Sequence, residues 1–264
     1  MLVPPSELSA WKDTALKSLY WDGIVKLPWV WPESEVQEYV SYMKSRPMFN
    51  AHVKAKSDGV PRKWGECEVL SYDMADTVAA PHFFEFAIQF TDIVEAYLGS
   101  PPHMYSLNAF ATFPGVKAPN PDIQLWHRDR DDTKFIALFL YGSDVNSDSF
   151  GPHMFAKGSH RNNDGGHHPP TEPVDIIYGR AGTAFLEDPS GLHLGVKPRE
   201  GERLLAWARW CVSEMPQSYQ WDALKPVSWT TFVLPSLDGQ FRRDPIPITP
   251  AISESTKLVV DWNA

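Results

Sequence analysis

Cysteine is nearly absent: 264 residues contain only Cys67 and Cys211, and neither belongs to a Cys-x-x-Cys pair. A disulfide framework is excluded, and a reducing cytoplasm is the expected compartment. Long apolar runs are also missing, the longest falling far short of the roughly 20 residues a membrane span needs. The opening MLVPPSELSAWKD has no basic stretch followed by an apolar run, so no signal peptide is expected. Positive charge is in deficit, with 24 Lys and Arg against 33 Asp and Glu and a formal net charge of -9. That sign repels nucleic acid and anionic headgroups, so the expected partner is a small molecule rather than nucleic acid or membrane. No internal repeat and no low-complexity tract is present.

Proline is abundant instead. Its 24 copies are roughly twice what a usual share of about 5% gives. They argue for many turns and against a helical bundle. Eleven tryptophans and 14 phenylalanines supply large apolar surfaces for a core or a pocket.

The pattern predicts a helix over 6–19 and a short strand over 23–27. A second helix opens at Pro32, with Val36, Tyr39, Val40 and Met43 on one face. Residues 46–76 read as irregular and polar, and 81–98 as a third helix. From residue 103 the period shortens to that of strands, over 104–113, 123–127, 135–141, 153–155, 174–177, 183–187 and 203–212, with turn clusters between them. Short strands at this spacing suggest a sandwich or small barrel. The expected organisation is one domain over 1–264. A helical and mixed part (1–102) packs on a β core (103–215), and a proline-rich tail (216–264) wraps the outside.

The segment Gln124-Leu125-Trp126-His127-Arg128-Asp129 carries the chemistry. In a strand, residues two apart share a face, so His127 and Asp129 project together. His193, after a strand and a turn, is the candidate third ligand. Two histidines and one carboxylate form the facial triad of non-haem Fe(II) oxygenases, which leaves positions free on the iron for a bidentate cosubstrate and O2. Arg203 opens the following strand, and its planar fork suits the far carboxylate of a dicarboxylic cosubstrate.

Each feature has a plainer reading. A His-x-Asp triplet also arises by chance as a surface or capping pair. Arg203 could pair with Glu200 or Glu202. Arg199 competes with it but lies in a turn, and Arg209 shares its face and could line the pocket. His160, His167 and His168 read as loop residues, with His160 holding its loop locally. Trp126, Trp207 and Trp210 read as core. Arg128, Arg130, Asp131 and Asp132 fit either a solvated rim or a polar substrate contact. His127-Arg128-Asp129 is also similar to a kinase catalytic loop, but Lys134 stands where that loop needs asparagine and no glycine-rich phosphate loop precedes it.

These pieces together resemble the phytanoyl-CoA dioxygenase family of Fe(II)- and 2-oxoglutarate-dependent oxygenases. The likeness rests on 124–129, on Ser149-Phe150-Gly151-Pro152 leading into Lys157-Gly158-Ser159-His160-Arg161, on His193 followed by Arg203, and on the early Trp21-Asp22-Gly23-Ile24-Val25. It implies a double-stranded β-helix, or jelly roll, with flanking helices. It implies His127, Asp129 and His193 as iron ligands, Arg203 as partner of the 2-oxoglutarate tail, and Gln124 as a further cosubstrate contact. It also implies hydroxylation of a small metabolite with release of succinate and CO2. Lys157 departs from the proline usual in the loop, and His153 stands where threonine is common. Asp129 fills a position that is small in halogenating relatives, which favours hydroxylation. The alternatives are a cupin-like metalloenzyme without 2-oxoglutarate (an isomerase or a ring-cleaving dioxygenase) and a non-catalytic jelly-roll binding protein.

Overall fold

The computed structural model describes residues 3–50, 60–66, 69–72, 74–115, 125–162 and 168–213. The chain opens with α1 (Pro5–Trp21), β1 (Ile24–Val30) and α2 (Glu33–Lys44). Proline at the first helical position suits α1, because its fixed φ is already helical and its missing N–H has no intrahelical partner there. Two short strands, β2 (Met48–Asn50) and β3 (Val69–Tyr72), precede the small helix α3 (Met74–Val78). They correct the irregular reading of 46–76. Strands of three and four residues are too short for a visible alternation.

The helix expected over 81–98 is two helices, α4 (Phe83–Ile88) and α5 (Thr91–Leu98). The break has a local cause. The Thr91 hydroxyl donates to the Ile88 carbonyl at 2.7 Å, competing with the helical ladder. Phe90 turns inward at the break and is fully buried against Phe86.

The remaining elements are β4 (His103–Thr112), β5 (Phe135–Tyr141), β6 (His153–Ala156), β7 (Val174–Ile177), β8 (Thr183–Glu187), β9 (His193–Gly195) and β10 (Arg203–Cys211). They form a seven-stranded sheet ordered β1-β8-β5-β10-β4-β3-β2 and a three-stranded sheet ordered β7-β6-β9. Every pairing is antiparallel. This is the expected jelly roll. The first 102 residues do more than pack on it, since β1, β2 and β3 complete both edges of the large sheet.

Side-chain alternation explains the layering. Ile136, Leu138 and Leu140 of β5 join Ala206, Ala208 and Trp210 of β10 on the helix-covered face, with Leu19, Tyr39 and Val94. Ala137, Phe139 and Tyr141 face the small sheet instead, with Leu205, Trp207, Phe155 and Ile177. A strand buried on both faces reads as the continuous apolar run seen at 135–141. Among the described residues no helix is long and apolar enough to cross a membrane. The tail beyond 213 lies outside the described residues.

Gly23 joins α1 to β1 and fixes where the helix meets the barrel. Its φ is +85°, and a Cβ there would lie 2.4 Å from His160 Nδ1 and 2.8 Å from Phe155. Gly23→Ala therefore combines backbone strain with overpacking, at a cost of about 2 kcal/mol or more. Urea unfolding should show a lowered midpoint at unchanged slope. An unchanged midpoint would contradict this packing.

Candidate metal centre

His127 and His193 are direct neighbours. The His127 N–H donates to the His193 carbonyl at 3.0 Å, and the His193 N–H returns to the His127 carbonyl at 2.9 Å. Their rings lie 4.3 Å apart. The Asp129 N–H donates to the Pro189 carbonyl at 2.9 Å, in the loop that leads to His193. The described part of the expected strand over 123–127 is thus no regular strand but a single bridge between His127 and His193. The i, i+2 logic still holds, and both side chains reach the same spot. His127 Nε2 is 3.8 Å from Asp129 Oδ1, and His193 Nε2 is 3.9 Å from Asp129 Oδ2. Among the described residues this is the one group whose ligand atoms could hold a metal, all within 4.8 Å of one another. Donors about 2.1 Å from a shared ion sit roughly 3 to 3.5 Å apart, so a slight inward adjustment of side chains closes the site.

The tautomers suit this use. His127 Nδ1 lies 2.7 Å from the Leu125 carbonyl, and His193 Nδ1 lies 2.9 Å from the Gly191 carbonyl. A carbonyl only accepts, so Nδ1 carries the proton and each Nε2 lone pair faces the centre. Burial, then the neighbouring His127, pushes the His193 pKa down to about 4. Burial alone would raise that of Asp129, but the Arg209 guanidinium and the two imidazoles outweigh it and hold it at about 2. His193 and Asp129 are thus in the forms that bind a cation.

Apart from the exposed Arg130, the rest of the charged run is not a solvated rim. Arg209 Nη2 lies 2.8 Å from Asp129 Oδ2, an ion pair without hydrogen-bond alignment. Its Nη1 pairs with Asp131 at 2.7 Å, and the Tyr105 hydroxyl donates to the same Asp131 oxygen at 2.5 Å. Arg209 thus orients a candidate ligand, a closer role than lining the pocket. Asp132 accepts from the backbone of Val212 and Ser213.

Arg128 points the opposite way from its neighbours and is buried. It donates to the carbonyls of Ser159 at 2.8 Å, Ser190 at 2.8 Å and Asn162 at 3.2 Å. The Ser159 hydroxyl donates to Ala156 and accepts from the Leu192 N–H, one residue before His193. One arginine therefore ties the segment bearing His127 and Asp129 to the loops that carry His193. Arg128→Ala should cost about 2–4 kcal/mol, because several carbonyls lose a charged donor, and should weaken metal binding roughly tenfold or more. Chemical denaturation and metal titration of the same variant check both numbers.

Arg203 is 3% exposed. Its Nη1 donates to the carbonyls of Gly151 and Val196, and its Nε is enclosed without a partner. No carboxylate among the described residues pairs with it. Glu202 is taken by Lys44 and Trp64, and Glu200 by Ser149. Opposite Arg203 in register stands Thr112, whose buried hydroxyl also lacks a partner. A buried cation beside orphaned polar atoms fits an anionic ligand. Arg199 is exposed on the surface and does not compete.

Gln124 and His167 lie outside the described residues. His160 reaches the Tyr20 carbonyl at 3.2 Å, so it ties its loop to α1 rather than to itself. Lys157 makes ion pairs with Asp22 and Asp175. Trp210 is core, whereas Trp207 faces the space between the sheets, packed edge to face on Phe110 at 4.5 Å and donating to Ser106.

The sequence reading passed over Glu187. It ends the apolar strand β8, is fully buried, and lies 2.5 Å from His153 Nε2. Its other oxygen, which lacks a hydrogen-bond partner, is 3.7 Å from His193 Nδ1. Burial pushes the Glu187 pKa up to about 8, and burial, then Arg203, pushes that of His153 down to about 3. A carboxyl inside an all-apolar strand was the available signal.

No protein-family profile matches the chain, and no curated protein matches it by sequence. Solved structures do resemble its fold. The non-haem alpha-ketoglutarate-dependent epimerase SnoN from nogalamycin biosynthesis aligns over 92% of this chain and 97% of its own, with TM-score 0.60 and 17% identity. HygX from Streptomyces hygroscopicus, with nickel and 2-oxoglutarate bound, aligns over 75% and 85%, with TM-score 0.56 and 15% identity. EctD from S. alaskensis, with bound Fe, aligns over 74% and 74%, with TM-score 0.52 and 16% identity. At such identities the likeness defines the fold, the jelly roll on which these enzymes are built.

Proposed function

We propose that this chain is a non-haem Fe(II)- and 2-oxoglutarate-dependent dioxygenase that hydroxylates a small-molecule metabolite. The reading rests above all on the cross-strand pairing that gathers the donors of His127, Asp129 and His193 at one point of a jelly roll. Two imidazoles and a carboxylate suit Fe(II) and leave coordination positions free. When bound there, the iron with 2-oxoglutarate supplies O2 activation, and succinate and CO2 are released.

The chain's own residues do the rest. Both histidines present Nε2, and Arg209 holds Asp129 in place. Arg203 grips the distal carboxylate of 2-oxoglutarate, with Gln124 as a further contact. Asp129 occupies the coordination position that a halide would need, so hydroxylation is favoured. Ser106, Asn108, Phe110 and Trp207 share the face of the large sheet that looks toward the small sheet and offer a mixed aromatic and polar wall for substrate. The fold neighbours support a small-molecule substrate, since one is described with hygromycin B bound and another with nogalamycin RO. The motifs shared with the phytanoyl-CoA dioxygenase family support membership of that family.

A cupin-like metalloenzyme without 2-oxoglutarate would leave the buried Arg203 with no anion to meet. Incubation with Fe(II), 2-oxoglutarate and a metabolite panel should release succinate in step with oxygen uptake. Product formation with no dependence on 2-oxoglutarate would favour the alternative.

A further inference from the structure

The inner face of the large sheet is filled beneath β5 and open beneath β4. Ala137, Phe139 and Tyr141 of β5 are buried. Ser106, Asn108 and Phe110 of β4 share that face with them, yet all three are only half-buried. The residues between them, Leu107, Ala109 and Ala111, are fully buried on the helix-covered side. The opening adjoins the metal centre, because Ser106 is the register partner of Arg209, which contacts Asp129. Phe110 offers aromatic surface there, held by the buried Trp207 packed edge to face on it at 4.5 Å.

The polar groups of this wall are left as donors. The Trp207 indole N–H donates to Ser106 Oγ at 3.1 Å. That oxygen is therefore accepting already, and the hydroxyl proton has no acceptor among the described residues. The Ala109 N–H donates to the side-chain oxygen of Asn108 at 2.7 Å. A backbone N–H only donates, so this contact fixes the amide, with Oδ1 in use and the NH2 group left over. Asn108 Nδ2 is not among the enclosed polar atoms that lack a partner, so it opens onto the cavity. The rows of this face are Thr112–Arg203, Phe110–Leu205, Asn108–Trp207 and Ser106–Arg209. Charge stands only in the end rows, and there Arg209 is matched by Asp129 and Asp131. An ion lodged in the middle rows would lose its hydration and meet no counter-charge.

We propose that this wall selects a neutral, ring-bearing substrate whose oxygens accept hydrogen bonds: the ring lies on Phe110, and the Ser106 hydroxyl and the Asn108 amide donate to its carbonyl or ether oxygens. This rests on the reading of the chain as a 2-oxoglutarate enzyme. Flat rings gain from the aromatic surface. The two donors, two residues apart on one strand, stand roughly 7 Å apart, which suits oxygens at opposite ends of one ring. Ring ketones, pyranones and lactones have that chemistry. Carboxylates, amines and rings without an acceptor do not.

Ligand-observed NMR on the protein loaded with Ni(II) and 2-oxoglutarate tests this without turnover. Three bicyclic probes separate the features. Chromone is neutral and carries a ring ether oxygen opposite a ring carbonyl. Indole is neutral and offers no acceptor oxygen, and chromone-2-carboxylate adds a negative charge to the chromone ring. Chromone should bind at least about tenfold more tightly than either of the others. Asn108→Asp keeps the oxygen that accepts from the Ala109 N–H and loses the NH2 donor. It should weaken chromone about tenfold and leave indole within about twofold. Ser106→Ala should weaken chromone in the same direction. Equal binding of the three probes by the parent, no chromone binding, or parental chromone affinity in both variants would each overturn the assignment. If neither variant folds, the order of the three probes on the parent decides alone. Calorimetric titration of the Ni(II)-loaded parent with 2-oxoglutarate comes first. If none binds, the functional reading fails and the substrate wall with it. If it binds and the probes miss the expected order, only the wall assignment fails.

Discussion

His127→Ala should abolish succinate release, by more than about 10³-fold, while leaving the fold nearly intact. The argument is one of position. The His127 side chain is 18% exposed, and its ring makes one hydrogen bond, to the Leu125 carbonyl. Removing it opens no core cavity, so the stability change should stay within about 1 kcal/mol. The backbone bridge to His193 survives, because it uses no side-chain atom. What disappears is one of three metal donors, and with two remaining the ion has no face to sit on. Metal analysis beside thermal unfolding checks both halves. A variant that unfolds at the parent temperature, carries a full equivalent of iron and turns over normally would move the site elsewhere. His193→Ala is a poorer test, because His193 is 4% exposed and packed against His153, so lost packing would mix with lost ligation.

Arg203→Ala carries the second large effect. Truncating a buried group that meets an anion through charged hydrogen bonds costs roughly 3 kcal/mol in affinity, or about 100-fold in 2-oxoglutarate binding. Metal binding should be retained, because Arg203 belongs to neither the ligand set nor its supporting bonds. The carbonyls of Gly151 and Val196 also lose their donor, so Arg203→Lys is the useful companion. Lysine keeps the charge but not the fork, and should recover part of the affinity. Equal 2-oxoglutarate affinity in Arg203→Ala and the parent would remove Arg203 from the site.

Much of this was legible because short-range rules apply. The strands at 135–141, 174–177 and 183–187 announce themselves as apolar or alternating runs between turns, and their bounds are those observed. The pair His127 and Asp129 follows from i, i+2 spacing. Spacing could not show that one bridge, not a strand, holds them, because bridging depends on where His193 arrives from another part of the chain. Arg128 and Asp131 read as either a solvated rim, which a run of alternating charge normally is, or a polar substrate contact. Tertiary contact overrides that reading, as three loop carbonyls converge on Arg128 and as Arg209 and Tyr105 converge on Asp131. For Glu187 the sequence offered only a carboxyl closing an apolar strand, with no hint of its partner. Its partner His153 lies on the other sheet, and only the closed barrel brings them together.

The most direct test of the account is an anaerobic titration of Fe(II) into the metal-free protein, followed by 2-oxoglutarate. One equivalent of iron should bind to the parent and none tightly to His127→Ala, and 2-oxoglutarate should bind tightly only after the iron. Iron bound equally by both proteins, or 2-oxoglutarate bound as tightly without it, would contradict a metal centre built on His127, Asp129 and His193.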